Sequence, residues 1–259
     1  MRVTILRAVF VMTVAACGCG TVIDIPSDIV VCGNPDAMVT LSGQVVQAIH
    51  GEWHDMDGGV VSIVGRDDIR LEMSGREFGY ELQVPSCTDV VVRLEHPVLH
   101  TVHSGIVYTG DNGIDGVTLQ TPDLDTFNLL MFLSGVEMDP EKCQIATTVT
   151  DVEHLPDIPC DYCGEPGVKV ALEPSVEKAH GPIYFEIGGV AIIYPQPELT
   201  ETTEDGGVLF VNLDAGDYEV FGWRDGLVMT SARFHCEPGW FVNPAPPRGI
   251  QVQPSISAD

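Results

Sequence analysis

Short runs rich in valine and isoleucine, broken by glycine, aspartate, serine or proline, recur along most of this chain. Runs of about four to eight such residues bounded by turn formers read as strands, and they are too short to bury the face of a helix. Val39–Val46, Val60–Val64, Ile69–Met73, Gly79–Val84 and Asp89–Leu94 make a first block. Gln144–Asp151, Val168–Leu172, Ile183–Glu186, Gly207–Leu213, Asp217–Trp223 and Val228–Cys236 make a second. Gly58-Gly59 and Pro85-Ser86 supply turns. One stretch breaks the pattern. Leu124, Phe127, Leu130 and Met131 recur at helical spacing, Asp123 or Asp125 can cap the start, and Gly135 can end it. This predicts one helix near Leu124–Ser134. The expected fold is all-β, two antiparallel β-sandwiches joined by one short α-helix. The first sandwich would span 37–122, the linker helix 123–142 and the second sandwich 143–259. The proline-rich tail, Pro238–Pro254, is expected to lie as an irregular edge segment.

The N-terminus carries a different message. Arg2 and Arg7 precede the apolar or small run Ala8–Ala16, and Cys17 follows. A basic start, a short apolar core and small residues before a cleavage point describe an export signal over 1–16. The run is about half the ~20 residues that a spanning helix needs. Val14-Ala15-Ala16-Cys17 resembles the bacterial lipobox, in which a peptidase cuts before a cysteine already bearing diacylglycerol. The resemblance implies acyl chains, palmitate among them, on Cys17, followed by a lipidated tether over 17–36. Each buried methylene contributes about 0.8 kcal/mol, so two or more chains anchor stably. The alternative is an ordinary secretory signal with a cysteine nearby. Gly18 follows Cys17, which by resemblance to enterobacterial sorting rules implies the outer membrane, facing the periplasm or the cell surface.

Charge narrows the partners. The formal net charge is −26, and loss of Arg2 and Arg7 with the leader leaves 10 basic residues against 38 acidic ones. Such a chain repels nucleic acid and anionic lipid headgroups. Eight cysteines suit an oxidising compartment. With Cys17 acylated, seven remain, so at least one stays free or pairs with another chain; Cys19, beside the anchor, is the candidate. Cys32 lies before the opening strand and Cys87 in a turn between later strands, so a Cys32–Cys87 bridge is expected. In the second block one of Cys160 or Cys163 is expected to join Cys236 at the end of the last strand.

The second block also carries a motif. Thr202–Val220 (TTEDGGVLFVNLDAGDYEV) resembles the T-x-x-D-G-x-F-x-F-x-x-L-x-x-G-x-Y-x-V core of carboxypeptidase-regulatory-like and Cna-B-type, transthyretin-like domains, with Val208 where the first Phe is expected. Ile145–Asp151 and Gly164–Val170 are similar to the same family's first two strands. The reading predicts Asp205-Gly206 as a tight turn between strands, Phe210 and Leu213 in the core, and a reversal at Ala215-Gly216. The first block is similar to a degraded copy, with Arg76-Glu77-Phe78-Gly79-Tyr80 replacing the D-G-x-Y. The whole arrangement resembles myxobacterial lipoproteins with tandem domains of this type, in which Gly181-Pro182-Ile183-Tyr184 also has a counterpart. The resemblance speaks to fold rather than activity.

Candidate chemistry is sparse. His96, His100 and His103 are potential metal ligands; on an extended strand His96 and His100 share one face and His103 takes the other, with His50 and His54 as further donors. Cys160-Asp161-Tyr162-Cys163 is a C-x-x-C flanked by prolines, which disfavours the helix start of a redox site. Asp111-Asn112-Gly113-Ile114-Asp115-Gly116 resembles the start of a calcium loop but has Gly113 at the third position and no closing glutamate. Asp55–Gly59 and Glu201–Asp205 are weaker acidic turns of the same kind. No nucleophile elbow, H-E-x-x-H or phosphate-binding loop is present. Ring-cleaving dioxygenases share a similar sandwich, which directs attention to Tyr184, Tyr194, Tyr218 and His235, but their H-x-H is missing. No cofactor is called for. The expectation is a non-enzymatic, membrane-anchored lipoprotein acting in adhesion, scaffolding or envelope assembly, with an envelope protein as partner. The alternative is a ligand-binding lipoprotein that captures a cation or a carbohydrate. Trp53, Trp223 and Trp240 discriminate: Trp223 and Trp240 exposed beside one groove favour binding, and buried they favour the structural role.

Overall fold

The strands obey the local rule that side chains alternate between the faces of a sheet. Strand 79–85 buries Tyr80, Leu82 and Val84 and exposes Gly79, Glu81 and Gln83. Strand 231–236 buries Ala232, Phe234 and Cys236 while Ser231 and Arg233 face water. A computed structural model of the chain describes residues 32–47, 54–151, 164–188 and 193–253. The export signal, Cys17, Cys19, His50, Trp53, Cys160 and Cys163 lie outside the described residues. The first block contains β1 (Met38–Gln47), β2 (Val60–Ile63), β3 (Arg66–Glu72), β4 (Gly79–Pro85), β5 (Asp89–Val90), β6 (Val92–Glu95), β7 (Val102–His103), β8 (Val107–Tyr108) and β9 (Ile114–Thr121). The helix α1 (Leu124–Leu133) follows. The second contains β10 (Cys143–Thr148), β11 (Thr150–Asp151), β12 (Lys169–Glu173), β13 (Ile183–Ile187), β14 (Ile193–Gln196), β15 (Gly207–Leu213), β16 (Gly216–Trp223), β17 (Ser231–Cys236), β18 (Phe241–Val242) and β19 (Gln251–Val252).

Among the described residues the fold is an all-β sandwich with one short α-helix. Three sheets carry it: β4-β1-β9, β12-β16-β17, and a nine-stranded sheet ordered β14-β13-β15-β10-β18-β7-β6-β2-β3. The large sheet draws strands from both blocks, and both blocks fall in one unit, Val31–Asp259. On β15, Leu209 and Val211 join one core with Val61, Leu94, Leu41 and Leu119, while Val208, Phe210 and Leu213 join another with Val170, Val220 and Phe234. The large sheet is therefore buried on both faces around β15, with β4-β1-β9 and α1 against one core and β12-β16-β17 against the other. This explains why β15 reads as an almost unbroken apolar run rather than an alternating one.

Most strand pairs are antiparallel, and four are parallel: β1 with β9, β10 with β18, β11 with β19, and β18 with β7. The β1–β9 pair shifts register between Leu41 and Gly43. A Cβ on Gly43 would stand 2.0 Å from the Val117 carbonyl oxygen, and the Tyr80 hydroxyl donates to that same oxygen, so only glycine fits the irregularity.

Several expectations are corrected. The tail is not an edge segment: Phe241 and Val242 are buried, and β18 lies between β10 and β7 in the middle of the large sheet. Its prolines flank the two-residue strand, where no ladder donor is needed. Ala215-Gly216 does not reverse the chain within one sheet. It carries the chain from β15 in the large sheet to β16 in the small one, and the Tyr218 hydroxyl braces that corner on the Asp214 carbonyl at 3.1 Å. Asp205-Gly206 is not a hairpin turn either. Gly206 donates its N–H to the Thr203 carbonyl and leads into β15, and a Cβ there would lie 2.6 Å from Gly164 Cα. Cys236 is joined to Cys143, not to Cys160 or Cys163, and this bridge ties β10 to β17 across the second core. Cys32 is joined to Cys87.

Helix α1 starts as its sequence dictates. The Asp123 carboxylate accepts from the Thr126 N–H at 2.7 Å, and Gly135 takes a left-handed φ of 71° just past the end. Phe127, Leu130 and Met131 face the core. The last residues of the expected tether are fixed to the first block: the Asp111 carboxylate accepts from the Gly33 and Asn34 N–H groups at 2.6 and 3.2 Å, beside the Cys32–Cys87 bridge.

Candidate functional site

The outer face of β17 meets the first block along an open cleft of about 470 Å³. Alternation puts Arg233 and His235 on that face, because Ala232, Phe234 and Cys236 fill the core. The register of β16 against β17 then sets Asp217 opposite His235. From the first block come Asp89, Arg66 and Ile106. The seam is closed by the Ile106 N–H donating to the Arg233 carbonyl at 2.7 Å and by the Arg233–Asp89 ion pair at 3.6 Å.

His235 is the electrostatic centre of the cleft. Its Nε2 lies 2.9 Å from Glu237 and its Nδ1 2.6 Å from Asp217. The Glu237 hydrogen bond first, and the Asp217 one next, raise its pKa above the usual histidine value. Carboxylates facing both ring nitrogens favour the protonated ring and occupy the positions a metal ion would take. Trp240 also lines the cleft. Its indole stacks on the His103 ring at 3.9 Å and 6° and meets the edge of His235 at 5.9 Å. His103 is buried, bonds the Phe241 carbonyl through Nδ1 at 3.2 Å, and is held down to a pKa of about 4 by that burial. One indole thus lies between an imidazole whose pKa neighbouring carboxylates raise and one whose pKa burial lowers. Among the described residues the lining holds no serine or cysteine. Chemically, the cleft offers an aromatic edge, carboxylate acceptors and cationic donors, suited to holding a guest by stacking and hydrogen bonds.

The sequence-derived candidates fall elsewhere. His96 accepts from the Val98 and Leu99 N–H groups through Nδ1 and reaches the Asp55 carbonyl through Nε2 at 3.1 Å. His100 bonds the Thr101 carbonyl and packs its ring 3.8 Å from Phe127, where it supports α1. Burial lowers the pKa of both. Among the described residues, the one group of three candidate ligands within 4.8 Å is Cys32, Cys87 and Asp111, and its two sulfurs are joined. The calcium-like loop spends its carboxylates on protein: Asp111 as above, and Asp115 accepting from the Ser42 hydroxyl at 2.6 Å. Asp57 accepts from the Gly75 N–H, and Asp55 pairs with Arg76. The three tyrosines serve separate corners. The Tyr184 hydroxyl accepts from the Val170 N–H, Tyr194 reaches Glu186 at 3.5 Å, and Tyr218 holds Asp214. Trp223, 47% exposed at the end of β16, does not line the cleft that Trp240 lines.

The Asp217–His235–Glu237 cluster is the feature that reading the sequence missed. Its only local signal is the alternation of β17. The partners follow from cross-strand register, which the sequence does not show.

No protein family and no curated protein matches the sequence. Among solved structures, the Bacillus anthracis TIE protein aligns at 13% identity over 83% of this chain and 34% of its own, with a TM-score of 0.25. A streptococcal ancillary pilin aligns at 13% identity over 84% of this chain and 70% of its own, with a TM-score of 0.26. The shaft pilin SpaA of Lactobacillus rhamnosus GG aligns at 11% identity over 85% and 98%, with a TM-score of 0.25. This chain spans about a third of the length of the Bacillus anthracis protein. Likeness at this level assigns no function, and the sandwich architecture rests on the strands and cores described above.

Proposed function

We propose that this protein is a non-enzymatic lipoprotein of the bacterial envelope, anchored through acylated Cys17 and used as a scaffold or adhesion module at the outer membrane, facing the periplasm or the cell surface. The observation that supports it most is that the chemically suggestive groups are spent on holding the structure together. The imidazoles of His96, His100 and His103 serve backbone carbonyls and ring packing, and Asp111 and Asp115 tie down chain segments. A sheet shared by both blocks, with a disulfide in each, suits a body that transmits load or presents a surface. Metabolic labelling with an alkyne fatty acid tests the anchor. Wild type is expected to label and fractionate with membranes, and Cys17→Ser to do neither. Labelling that survives the substitution overturns the lipoprotein reading.

A second reading, capture of a carbohydrate, draws on Trp240 and the carboxylates beside it in the cleft. Capture of a cation draws less support, because both nitrogens of His235 are engaged.

A further inference from the structure

Helix α1 is apolar nearly all round. Phe127, Leu130 and Met131 face the core, yet Phe132 is 80% exposed, Leu129 53%, Leu124 44% and Leu133 41%. Nine large apolar residues are exposed among the described residues, and these ten helical positions hold four of them. Val98, 43% exposed, adjoins the start of the helix through the Leu124 N–H bond to its carbonyl. Leu129, Phe132 and Leu133 are spaced i, i+3, i+4 and so form one stripe. A helix with apolar residues on the water side, clustered rather than scattered, marks an interaction surface.

The surroundings say what covers it. Asp123 and Asp125 open the helix, Glu137, Asp139 and Glu141 follow it, and its last turn has no basic residue to offset the negative end of the helix dipole. The nearest downstream cation, Lys142, is already paired with Asp214. A second copy would bring the same acids to a self-complementary contact, on a chain of net charge −26. The membrane fits poorly for a positional reason as well. The described chain begins at Cys32, beside Cys87 and Asp111. From there β1 runs ten residues to Gln47, which pairs with Thr121, just before α1. At about 3.3 Å per residue, this sets α1 roughly 30 Å from the point where the tether enters.

We propose that the exposed face of α1 is a docking site for a basic amphipathic helix of a partner protein, its apolar side on Leu129, Phe132 and Leu133 and its Lys or Arg residues against the flanking acids. This deepens the scaffold reading and rests on it for the partner; the positional ground for setting the membrane aside also rests on the Cys17 anchor, which the labelling experiment tests separately from peptide binding. The test titrates the full chain with two labelled fourteen-residue peptides, one with leucine at i, i+3, i+4 and i+7 spacing and lysine between and one with glutamate for lysine, followed by fluorescence anisotropy. The lysine peptide is expected to bind and the glutamate peptide not. Phe132→Ser and Leu129→Ser are each expected to weaken binding by about tenfold or more, with thermal midpoints unchanged because both side chains are exposed. Val228→Ser, at an exposed apolar position outside the helix, is expected to leave it unchanged. Equal binding by wild type and Phe132→Ser would reduce the attraction to generic charge and overturn the proposal. So would Phe132-dependent self-association in sedimentation, or Phe132-dependent binding to phosphatidylcholine vesicles.

Discussion

Asp205, half-buried, and His103, buried, are ionisable groups whose pKa values are displaced in opposite directions for the same reason, that desolvation penalises charge. Asp205 is pushed up to about 6 despite accepting the Gly207 N–H at 3.0 Å. Between about 4, where a free aspartate titrates, and about 6, the folded chain holds a proton the unfolded chain has lost, so Asp205 makes stability fall as pH rises through that window. His103 does the reverse. Its folded pKa of about 4 lies below the free value near 6.5, so the unfolded chain binds the proton, and stability is lost as pH falls through the same interval. Urea midpoints between pH 4 and pH 7 separate the two. Asp205→Asn, which keeps an acceptor for Gly207, is expected to raise stability at neutral pH by about 1–3 kcal/mol and to steepen the loss on acidification. His103→Phe, which keeps an aromatic ring against Trp240, is expected to flatten that loss. Parallel profiles for both variants and wild type would contradict these assignments.

At the scale of elements, α1 shows how local and tertiary terms divide. Its cap is local: Asp123→Ala is expected to cost about 1 kcal/mol in chemical denaturation, because the Thr126 N–H loses its acceptor. A midpoint unchanged from wild type would mean the cap contributes nothing. Its orientation is tertiary. Periodicity picked out Leu124, Phe127, Leu130 and Met131, and the core takes the last three but leaves Leu124 44% exposed; seven of the ten residues are Leu, Phe or Met, so it did not show that the opposite side would be apolar too. Strand β9 shows the opposite case. Asp111, Gly113, Asp115 and Gly116 made its first half look like a loop, yet the chain from Ile114 pairs along β1 over most of that strand's length.

For the whole molecule, the nine-stranded sheet joins the two blocks and is expected to make them unfold together. The strand joint is narrow, though the first core spans both blocks: Val242 opposes His103, the Asn243 N–H donates to the His103 carbonyl at 2.8 Å, and β18 pairs with β10 at Gln144 and Ile145. Phe241 buries its ring in the first core, 5.2 Å from Phe127, while Val242 enters the second. The Cys143–Cys236 bridge spans 93 residues of chain and anchors the strand preceding this joint. Cys143→Ala with Cys236→Ala is therefore expected to cost about 4–5 kcal/mol and to lower both blocks together, as one calorimetric transition. Two separated transitions, with only the second displaced, would show that the blocks unfold independently.

The sequence by itself determined the strands that alternate and the helix at Leu124–Leu133 with its cap. These depend on neighbours within a few residues, where sterics and hydrogen bonding act directly. The motif over Thr202–Val220 likewise located β15 and β16, though it did not reveal that the corner between them changes sheets. Only the tertiary structure decided which distant pieces meet. The proline-rich tail carries no periodicity, yet two of its residues complete the central sheet, because Phe241 and Val242 are apolar on successive positions and two cores lie on either side of them. Cys143 became the partner of Cys236, and Asp217 the partner of His235, because strand register brought them together. Register is settled by packing across the whole sheet, and no short window of sequence contains it.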